Sequence, residues 1–252
     1  DSTIPADARS TGHFIARSAG CIAGLGLALR VFDLVDDDLA TGALVADGDE
    51  VAAGTRLASV TGSSRSILAG ERVALNLLGQ LSGVATETRK LVTAVEGTQA
   101  TIIDTRKTTP LLRGLQKMAV VAGGGRNHRM GLYDQILIKD NHIQAVGSAA
   151  EAVRRARAQV ADTLRIEVEI EDLADLELVI DAGADIVLLD NMPPDAIRRA
   201  VQVAAGRVLL EASGGITATT VRAVAESGVD LISVGALTHS APALDVALDF
   251  EA

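Results

Sequence analysis

The apolar and polar positions follow one rhythm over the first hundred residues and another over the rest. From about residue 100, short apolar runs alternate with stretches of helical spacing, a pattern typical of successive βα units. Strands are predicted at 101–104, 134–139, 165–170, 184–189, 207–211 and 231–235. Helices are predicted between them at 111–121, 147–159, 172–182, 194–204 and 217–227. Six strands are too few for the usual eight-stranded closure, so we predict an open, incomplete parallel α/β barrel.

The first part of the chain shows short apolar segments separated by glycine turns, which indicates a small domain of mixed strands and helices. Strands are predicted at 13–17, 21–23, 42–46, 50–51 and 57–60, and helices at 25–35, 66–81 and 83–96. We therefore predict an α/β protein with an N-terminal α/β sandwich domain over 1–100 and a catalytic barrel domain over 101–243. The last segment, 244–252, either closes the barrel or joins the first domain.

Composition excludes several classes of function. The net charge is −10 and the chain has three Phe, one Tyr and no Trp, so neither phosphate backbones nor bases would find a partner, and we expect no nucleic-acid ligand. No apolar run is long enough for a membrane span, and no signal-peptide pattern is present. Cys21 is the only cysteine, which excludes an internal disulfide and a cysteine metal cluster. A cytoplasmic protein is expected.

Positive charge is concentrated in one segment of this acidic chain. Residues 101–142 hold seven Lys or Arg and three Asp, a net charge of +4. A local basic patch of this kind is typical of a site for a small anion. The cations that we expect to line it are Arg106, Lys107, Arg129 and Lys139, because guanidinium groups grip carboxylates and phosphates in pairs and ammonium groups add a movable charge.

Polar residues also follow every predicted strand of the barrel, at the edge where ligands bind in parallel α/β folds. These residues are Thr105, Arg106, Lys107, Lys139, Glu169, Asp190, Glu211, Ser213 and Gly235. Glu169 and Asp190 suit ribose hydroxyls, a Mg²⁺ ion bound with phosphates, or a carbon that develops positive charge. His128 is either a donor to the ligand or a structural histidine. A Schiff base at Lys139 or Lys107 is an alternative that their charged neighbours disfavour.

Glycines indicate where phosphate would bind. The run Ser213-Gly214-Gly215 precedes a helix expected to begin near Thr217, and the pair Gly235-Ala236 follows the next strand. Backbone N–H groups of adjacent glycine loops form a phosphate cradle. The run Gly123-Gly124-Gly125 is either a further anion nest or a flexible loop.

Several longer motifs resemble the quinolinate phosphoribosyltransferases, the carboxylating nicotinate-nucleotide pyrophosphorylases. They are TRKTTP at 105–110, GGGRNHRMGLYDQILIKDNH at 123–142, EVE at 167–169, LDN at 189–191, EASGG at 211–215 and VDLISVGALTHS at 229–240. The resemblance implies an N-terminal sandwich, an open barrel and a homodimer with shared active sites. It also implies that quinolinate and phosphoribosyl pyrophosphate react with Mg²⁺ to give nicotinate mononucleotide, pyrophosphate and CO₂. Leu111 and Met118 depart from the family pattern, in which glycine and an aromatic residue are common there.

The resemblance assigns roles residue by residue. Quinolinate and pyrophosphate would be surrounded by Thr105, Arg106, Lys107, His128, Arg129 and Lys139. The 5′-phosphate would be bound by Ser213, Gly214, Gly215, Val234, Gly235 and Ala236. Lys139, Glu169 and Asp190 are the expected catalytic residues, the two carboxylates holding the ribose, and Mg²⁺ would be held by substrate phosphates with help from Glu169 and Asp190. Arg72 would reach quinolinate from the partner subunit.

Three alternatives stay open on the sequence alone. The first is a relative from molybdate-transport operons with the same fold and a different substrate. The second is a Schiff-base lyase of the aldolase type on a phosphate-binding barrel. The third is a sensor that binds phosphoribosyl pyrophosphate without reaction.

Overall fold

A computed structural model describes residues 3–160 and 163–251, and its chain divides into two compact units. The first unit comprises the chain up to Arg89, Thr108–Gly125, and the chain from Ala236 onward. The second unit comprises Lys90–Lys107 and Arg126–Gly235.

The elements follow each other along the chain as mixed strands and helices. The strands are β1 (Arg9–Ala16), β2 (Gly20–Cys21), β3 (Ala40–Ala43), β4 (Glu50–Val51), β5 (Arg56–Ser63), β6 (Thr101–Ile103), β7 (Ile136–Ile138), β8 (Ile166–Ile170), β9 (Ile186–Asp190), β10 (Leu209–Ser213), β11 (Leu231–Ser233) and β12 (Val246–Phe250). The helices are α1 (Leu25–Val35), α2 (Ser64–Ala94), α3 (Arg113–Ala122), α4 (Asp140–Val146), α5 (Ala149–Arg157), α6 (Leu176–Asp181), α7 (Pro194–Ala204), α8 (Val221–Ala225) and α9 (Ala236–His239). A 3₁₀ helix, Leu173–Asp175, precedes α6.

The first unit is built on an antiparallel sheet in the order β12-β1-β5-β3, beside a two-stranded sheet of β2 and β4. Alternate residues of β1 are buried, and Phe14 meets Phe32 of α1 edge to face, with ring centroids 5.8 Å apart. Helical spacing places Leu25 and Ala28 on the same buried face of α1 as Phe32. Burial of this apolar face is what orders the unit.

The predicted break between two helices near residue 82 is wrong, because α2 is continuous over 31 residues. Its glycines reflect close packing within the first unit. A Cβ at Gly83 would collide with the carbonyl oxygen of Pro242, and one at Gly79 would lie 2.9 Å from the carbonyl oxygen of Leu244. Glycine is therefore needed there for backbone approach, and tertiary packing offsets its low helix propensity. Charged residues interrupt α2, and none of the described helices is both long and apolar enough to cross a membrane.

The second unit contains the predicted parallel sheet, with strand order β6-β11-β10-β9-β8-β7. Its central strands are buried on both faces, as expected for a parallel sheet covered by helices. Among the described residues, β6 and β7 are the two edges of the sheet and do not pair with each other. The prediction of an open, incomplete barrel with a separate small sheet is thus confirmed.

Two boundaries differ in ways that affect the site. The strand predicted at 207–211 runs from Leu209 to Ser213, so Glu211 lies in its middle and not at its end. The helix expected near Thr217 begins only at Val221, because the preceding residues form a turn in which the Thr217 N–H donates to Oγ1 of Thr220. Threonine hydroxyls compete for the backbone donors that would otherwise start a helix.

Candidate active site

A cavity of about 340 Å³ lies among the strand ends of the second unit. Six of its lining residues follow or terminate strands of the parallel sheet, which is why side chains from distant parts of the sequence converge there. The lining consists of Thr105, Arg106, Lys107, His128, Arg129, Leu137, Lys139, Leu188, Glu211, Ser213 and Ser233. Seven of these residues were predicted site residues.

Four cationic side chains, Arg106, Lys107, Arg129 and Lys139, line this cavity, as the sequence predicts. The Arg129 guanidinium donates to the carbonyl oxygen of Gln135 at 3.2 Å. Burial lowers the pKa of Arg129, and the positive charge of Arg106 lowers it further. Clustered cations in a partly buried cavity repel one another, so an anion with several negative charges binds there favourably.

Glu169, on β8, is paired with one of these cations. The Lys139 ammonium donates to Oε2 of Glu169 at 2.6 Å, and Glu169 is largely buried. The expected catalytic lysine and carboxylate are therefore brought together. An ammonium held in an ion pair is a poor nucleophile, which argues against the Schiff-base alternative at this lysine.

A buried polar cluster lies beside the cations. His128 Nε2 is 3.0 Å from Oε2 of Glu167 and 3.6 Å from Oε2 of Glu211. The side-chain amide of Gln135 donates to the same Glu167 oxygen at 2.6 Å. The backbone N–H of His128 donates to Oδ1 of Asp104 at 2.9 Å. His128 is thus fixed by the protein on several sides while its ring borders the cavity.

Glu211 is the most perturbed carboxyl group of this cluster. Burial, and next the negative charge of Glu167, raise its pKa to about 8, although His128 acts in the opposite direction. At neutral pH the dominant form of Glu211 is therefore the uncharged acid.

Asp190 ends β9, next to Ser213 in the register of β9 and β10. Its Oδ2 accepts a hydrogen bond of 2.6 Å from the side-chain amide of Asn191, which has the left-handed conformation with φ 53°. Gly214 follows with φ 96°, and a Cβ there would collide with the Asn191 side chain. Only glycine fits this turn, so the backbone after β10 is held in a fixed shape.

Of the predicted phosphate-binding residues, Ser213, Gly214 and Gly215 line a second cavity of about 310 Å³. Val234 and Gly235 follow β11, and Ala236 begins α9. The run Gly123-Gly124-Gly125 is no anion nest, because its three N–H groups donate to carbonyl oxygens of α3. These glycines end a helix.

Arg72 belongs to the first unit, whereas the residues that line the first cavity belong to the second. It lies on α2 beside a groove of about 680 Å³ lined also by Asn76, Gln80 and Asp245. Its guanidinium is mostly exposed, and its nearest carboxylate oxygen, on Glu71, is 3.7 Å away. Among the described residues, its charge is therefore only weakly compensated.

Sequence reasoning gave no role to Glu167 and Ser233, and it named Glu211 only as a polar residue at the end of a predicted strand. A signal was present, because Glu167 and Glu169 alternate with Ile and Val in a strand whose residues are all buried. Carboxylates are almost never fully buried without a partner or a function. Because Glu167 and Glu169 are two residues apart in the strand, both side chains lie on the same face of β8.

Comparison with known proteins identifies the family. The family model described as the C-terminal domain of quinolinate phosphoribosyl transferase matches residues 84–249, and the model of its N-terminal domain matches residues 1–82. The chain belongs to the quinolinate phosphoribosyl transferase family.

Two relatives in this family resemble the chain over nearly its whole length. A probable carboxylating nicotinate-nucleotide pyrophosphorylase of Bacillus subtilis is 46% identical over 94% of this chain and 82% of the relative. The enzyme of the same name from Mycobacterium leprae is 46% identical over 98% of this chain and 89% of the relative. The crystal structure of NadC from Streptococcus pyogenes superposes with a TM-score of 0.94 at 41% identity, covering 100% of this chain and 90% of that one.

Proposed function

We propose that this protein transfers the phosphoribosyl group of phosphoribosyl pyrophosphate to quinolinate, with loss of one carboxylate as CO₂. The products are nicotinate mononucleotide and pyrophosphate, so the enzyme is a decarboxylating pentosyltransferase of NAD biosynthesis. The observation that carries the proposal is the cavity lined by four cations, one of which, Lys139, donates to the carboxylate of Glu169 at 2.6 Å. The names of the relatives support it.

The cations explain the choice of an aromatic dicarboxylate. Arg106 and Arg129 offer planar donor pairs that match carboxylates, and Lys107 and Lys139 offer additional positive charge. A dianion interacts more favourably with these four cations than a monoanion does. The two carboxylates lie on adjacent ring carbons, so holding both of them also fixes the direction of the neighbouring ring nitrogen toward the sugar.

The reaction that follows displaces pyrophosphate from the ribose. The ring nitrogen forms a bond to the sugar carbon while the bond from that carbon to pyrophosphate breaks, and positive charge develops on the sugar. Glu169 and Asp190, on β8 and β9, supply negative charge for this carbon and acceptors for the ribose hydroxyls. The carboxylate next to the charged nitrogen then leaves as CO₂, and a proton takes its place on the ring.

We propose that Mg²⁺ accompanies phosphoribosyl pyrophosphate and is held chiefly by its phosphates. Oxygen ligands suit this ion, and Mg²⁺ commonly keeps several waters and substrate phosphates as ligands. Oε2 of Glu169 accepts from the cation of Lys139, whereas Oδ2 of Asp190 accepts from the neutral amide of Asn191, so Asp190 is the better placed of the two expected carboxylates to assist. When bound, the ion would neutralise charge on the leaving pyrophosphate.

We further propose a homodimer in which Arg72 completes the quinolinate site of the partner subunit. Its support is the exposed, weakly compensated guanidinium of Arg72 on the first unit. An isologous contact would use the same arginine in both sites. Cytoplasmic location is part of the same proposal, supported by a single cysteine, Cys21, that is a buried free thiol.

One assay tests the activity. Pyrophosphate and CO₂ release are measured with phosphoribosyl pyrophosphate, Mg²⁺ and quinolinate, and again with quinolinate omitted. Equal, quinolinate-dependent release of both products is expected. Binding of phosphoribosyl pyrophosphate without release would indicate a sensor, and borohydride trapping of a sugar phosphate on Lys139 would indicate the lyase. Failure of quinolinate to support release would favour the different substrate of a molybdate-operon relative.

A further inference from the structure

The buried pair Glu167 and Glu211 has no place in the proposed reaction, although it borders the cationic cavity. Both side chains are almost completely buried, and they approach the same nitrogen of His128, at 3.0 and 3.6 Å. Two ionised carboxylates so close together in an environment of low dielectric repel each other strongly. The pair is therefore stable only with compensation by a proton or a metal ion.

The hydrogen bonds of His128 distinguish these two possibilities. The backbone N–H of Arg129 donates to Nδ1 of His128 at 2.6 Å. The ring proton is therefore on Nε2, the atom that faces Glu167 and Glu211. A metal ion would require a free lone pair on that same Nε2. The cluster of His128, Glu167 and Glu211 has a suitable donor set for a metal ion, but the orientation of the ring favours a proton.

The surroundings place the proton on Glu211. Glu167 Oε2 accepts a hydrogen bond from Gln135 and lies against His128, whereas Glu167 Oε1 and both carboxyl oxygens of Glu211 have no donor in hydrogen-bond geometry among the described residues. The ionised form is therefore better supported on Glu167 than on Glu211. Burial and the charge of Glu167 raise the pKa of Glu211 in the same direction.

Each element packed around Glu211 contributes a group that influences whether its carboxyl group is ionised. β8 supplies Glu167, β11 supplies the Ser233 hydroxyl and the segment between α3 and β7 supplies His128, while β9 presents the apolar Leu188. The cations that line the same cavity are Arg106, Lys107, Arg129 and Lys139. Glu211 is thus the only carboxylate among the described residues of the cavity lining.

We infer that Glu211 lines the cationic cavity as an uncharged, protonated carboxyl group at neutral pH. Its ionisation in mildly alkaline solution weakens the binding of the dianionic ring substrate. The inference rests on the proposed function for the identity of that substrate. In its neutral form Glu211 leaves the field of the four cations undiminished, and in its ionised form it opposes the carboxylates of quinolinate. It is a specificity-determining residue and takes no part in bond breaking.

Calorimetric titration of quinolinate, without phosphoribosyl pyrophosphate, tests the inference. The dissociation constant of the wild type should rise about tenfold between about pH 7 and about pH 9, since one proton must be regained for binding. In Glu211→Gln this ratio should be close to one, because the isosteric amide does not ionise. In Glu167→Gln the rise should begin at lower pH, because the charge that opposes ionisation of Glu211 is gone. Glu96→Gln, which removes an exposed glutamate, should keep the wild-type ratio.

Thermal unfolding gives a second measurement that needs no substrate. Glu211 keeps its proton in the folded protein while the unfolded chain loses it above its ordinary pKa, so wild-type stability falls as pH rises toward about 8. The melting temperature of Glu211→Gln relative to wild type should therefore increase between about pH 5 and about pH 8.

The two measurements also separate failures. If quinolinate binds at no pH while the melting temperatures behave as described, the proposed substrate is wrong, but Glu211 is still protonated at neutral pH. An unchanged alkaline rise in Glu211→Gln, or a pH-independent difference in melting temperature, would overturn the inference. So would stoichiometric binding of Zn²⁺ that Glu211→Gln abolishes.

Discussion

The ammonium nitrogen of Lys139 lies 2.6 Å from Oε2 of Glu169, so a cation that follows β7 is paired with a carboxylate of the neighbouring strand β8. The pairing fixes the position of both groups at the edge of the cavity. It also limits the freedom of Lys139, which must hold an anionic substrate without leaving the carboxylate uncompensated. Their charges are therefore to be tested as parts of one arrangement.

Glu169→Ala and Asp190→Ala should each lower kcat by about 100-fold, with a smaller effect on the affinity for quinolinate. The reason is that both carboxylates interact most strongly with the positive charge that develops on the ribose in the transition state. Steady-state kinetics, with quinolinate binding measured separately, check this prediction.

Glu171→Gln is the matched control for these variants, because Glu171 is exposed and directly follows β8. It should keep nearly normal kcat. A normal kcat in Glu169→Ala or Asp190→Ala, with only the KM for quinolinate raised, would contradict the assigned role.

Quinolinate should be preferred over nicotinate by roughly 100-fold or more in kcat/KM. Nicotinate lacks one carboxylate, and a cation of the cavity left without its partner costs a few kcal/mol. Competition between the two substrates, followed by separation of the products, measures the ratio. Similar efficiencies would show that the cations do not select the second carboxylate.

Arg72→Ala and Lys139→Ala should each be nearly inactive alone but regain activity when mixed. After free subunit exchange about half of the dimers are mixed, and each mixed dimer has one site with both residues intact, so roughly a quarter of wild-type activity is expected. The measurement is activity after exchange has been verified with labelled subunits. No recovery would mean that Arg72 serves its own chain, and an active Arg72→Ala would make it an ordinary surface residue.

Gly214→Ala should raise the KM for phosphoribosyl pyrophosphate at least about tenfold while quinolinate still binds. The added methyl group collides with Asn191 and forces the turn after β10 out of shape, so N–H contacts to a phosphate are lost. Gly206→Ala is the control, since Gly206 also has a positive φ but open space around it. Equal effects of the two substitutions would assign the loss to backbone strain alone.

Leu111→Gly should be more stable than Leu111→Ala by about 0.5–1 kcal/mol, the reverse of the usual order. Leu111 is fully exposed and has φ 67°, a conformation that costs a residue with a Cβ about 1 kcal/mol. Urea unfolding of both variants gives the difference. At Leu68, on an exposed part of α2, alanine should instead be the more stable of the two.

Regular periodicity made much of the fold predictable. The helices at 25–35 and 194–204 have the predicted bounds, because each has a continuous apolar face. The parallel sheet was predictable because its strands are short apolar runs between helices. The long helix α2 was divided wrongly because Gly83 looks like a helix end in sequence. Glycine is instead required at this position because Pro242 lies close to it.

The site was predictable where residues follow strands and not where they point inward from the middle of one. Lys139 and Arg106 have positions that topology alone indicates, and they do line the cavity. Glu211 lies in mid-strand, and its importance comes from burial beside Glu167, a contact between β10 and β8 that no local pattern encodes. Helix α4 was missed as well, since the run from Lys139 to His142 was taken only as a strand end.

The pairing of β12 with β1 has a consequence for the order of events during synthesis. The sheet of the first unit joins Gly12 to Phe250 and Ala16 to Val246, so this pairing forms only after every strand of the second unit has been synthesised. The strands of the second unit are all present once Ser233 has emerged. Until β12 has been synthesised, β1 has one unpaired edge, which exposes its backbone groups to other nascent chains. The synthesis of β12 is therefore the step that closes this edge of the sheet.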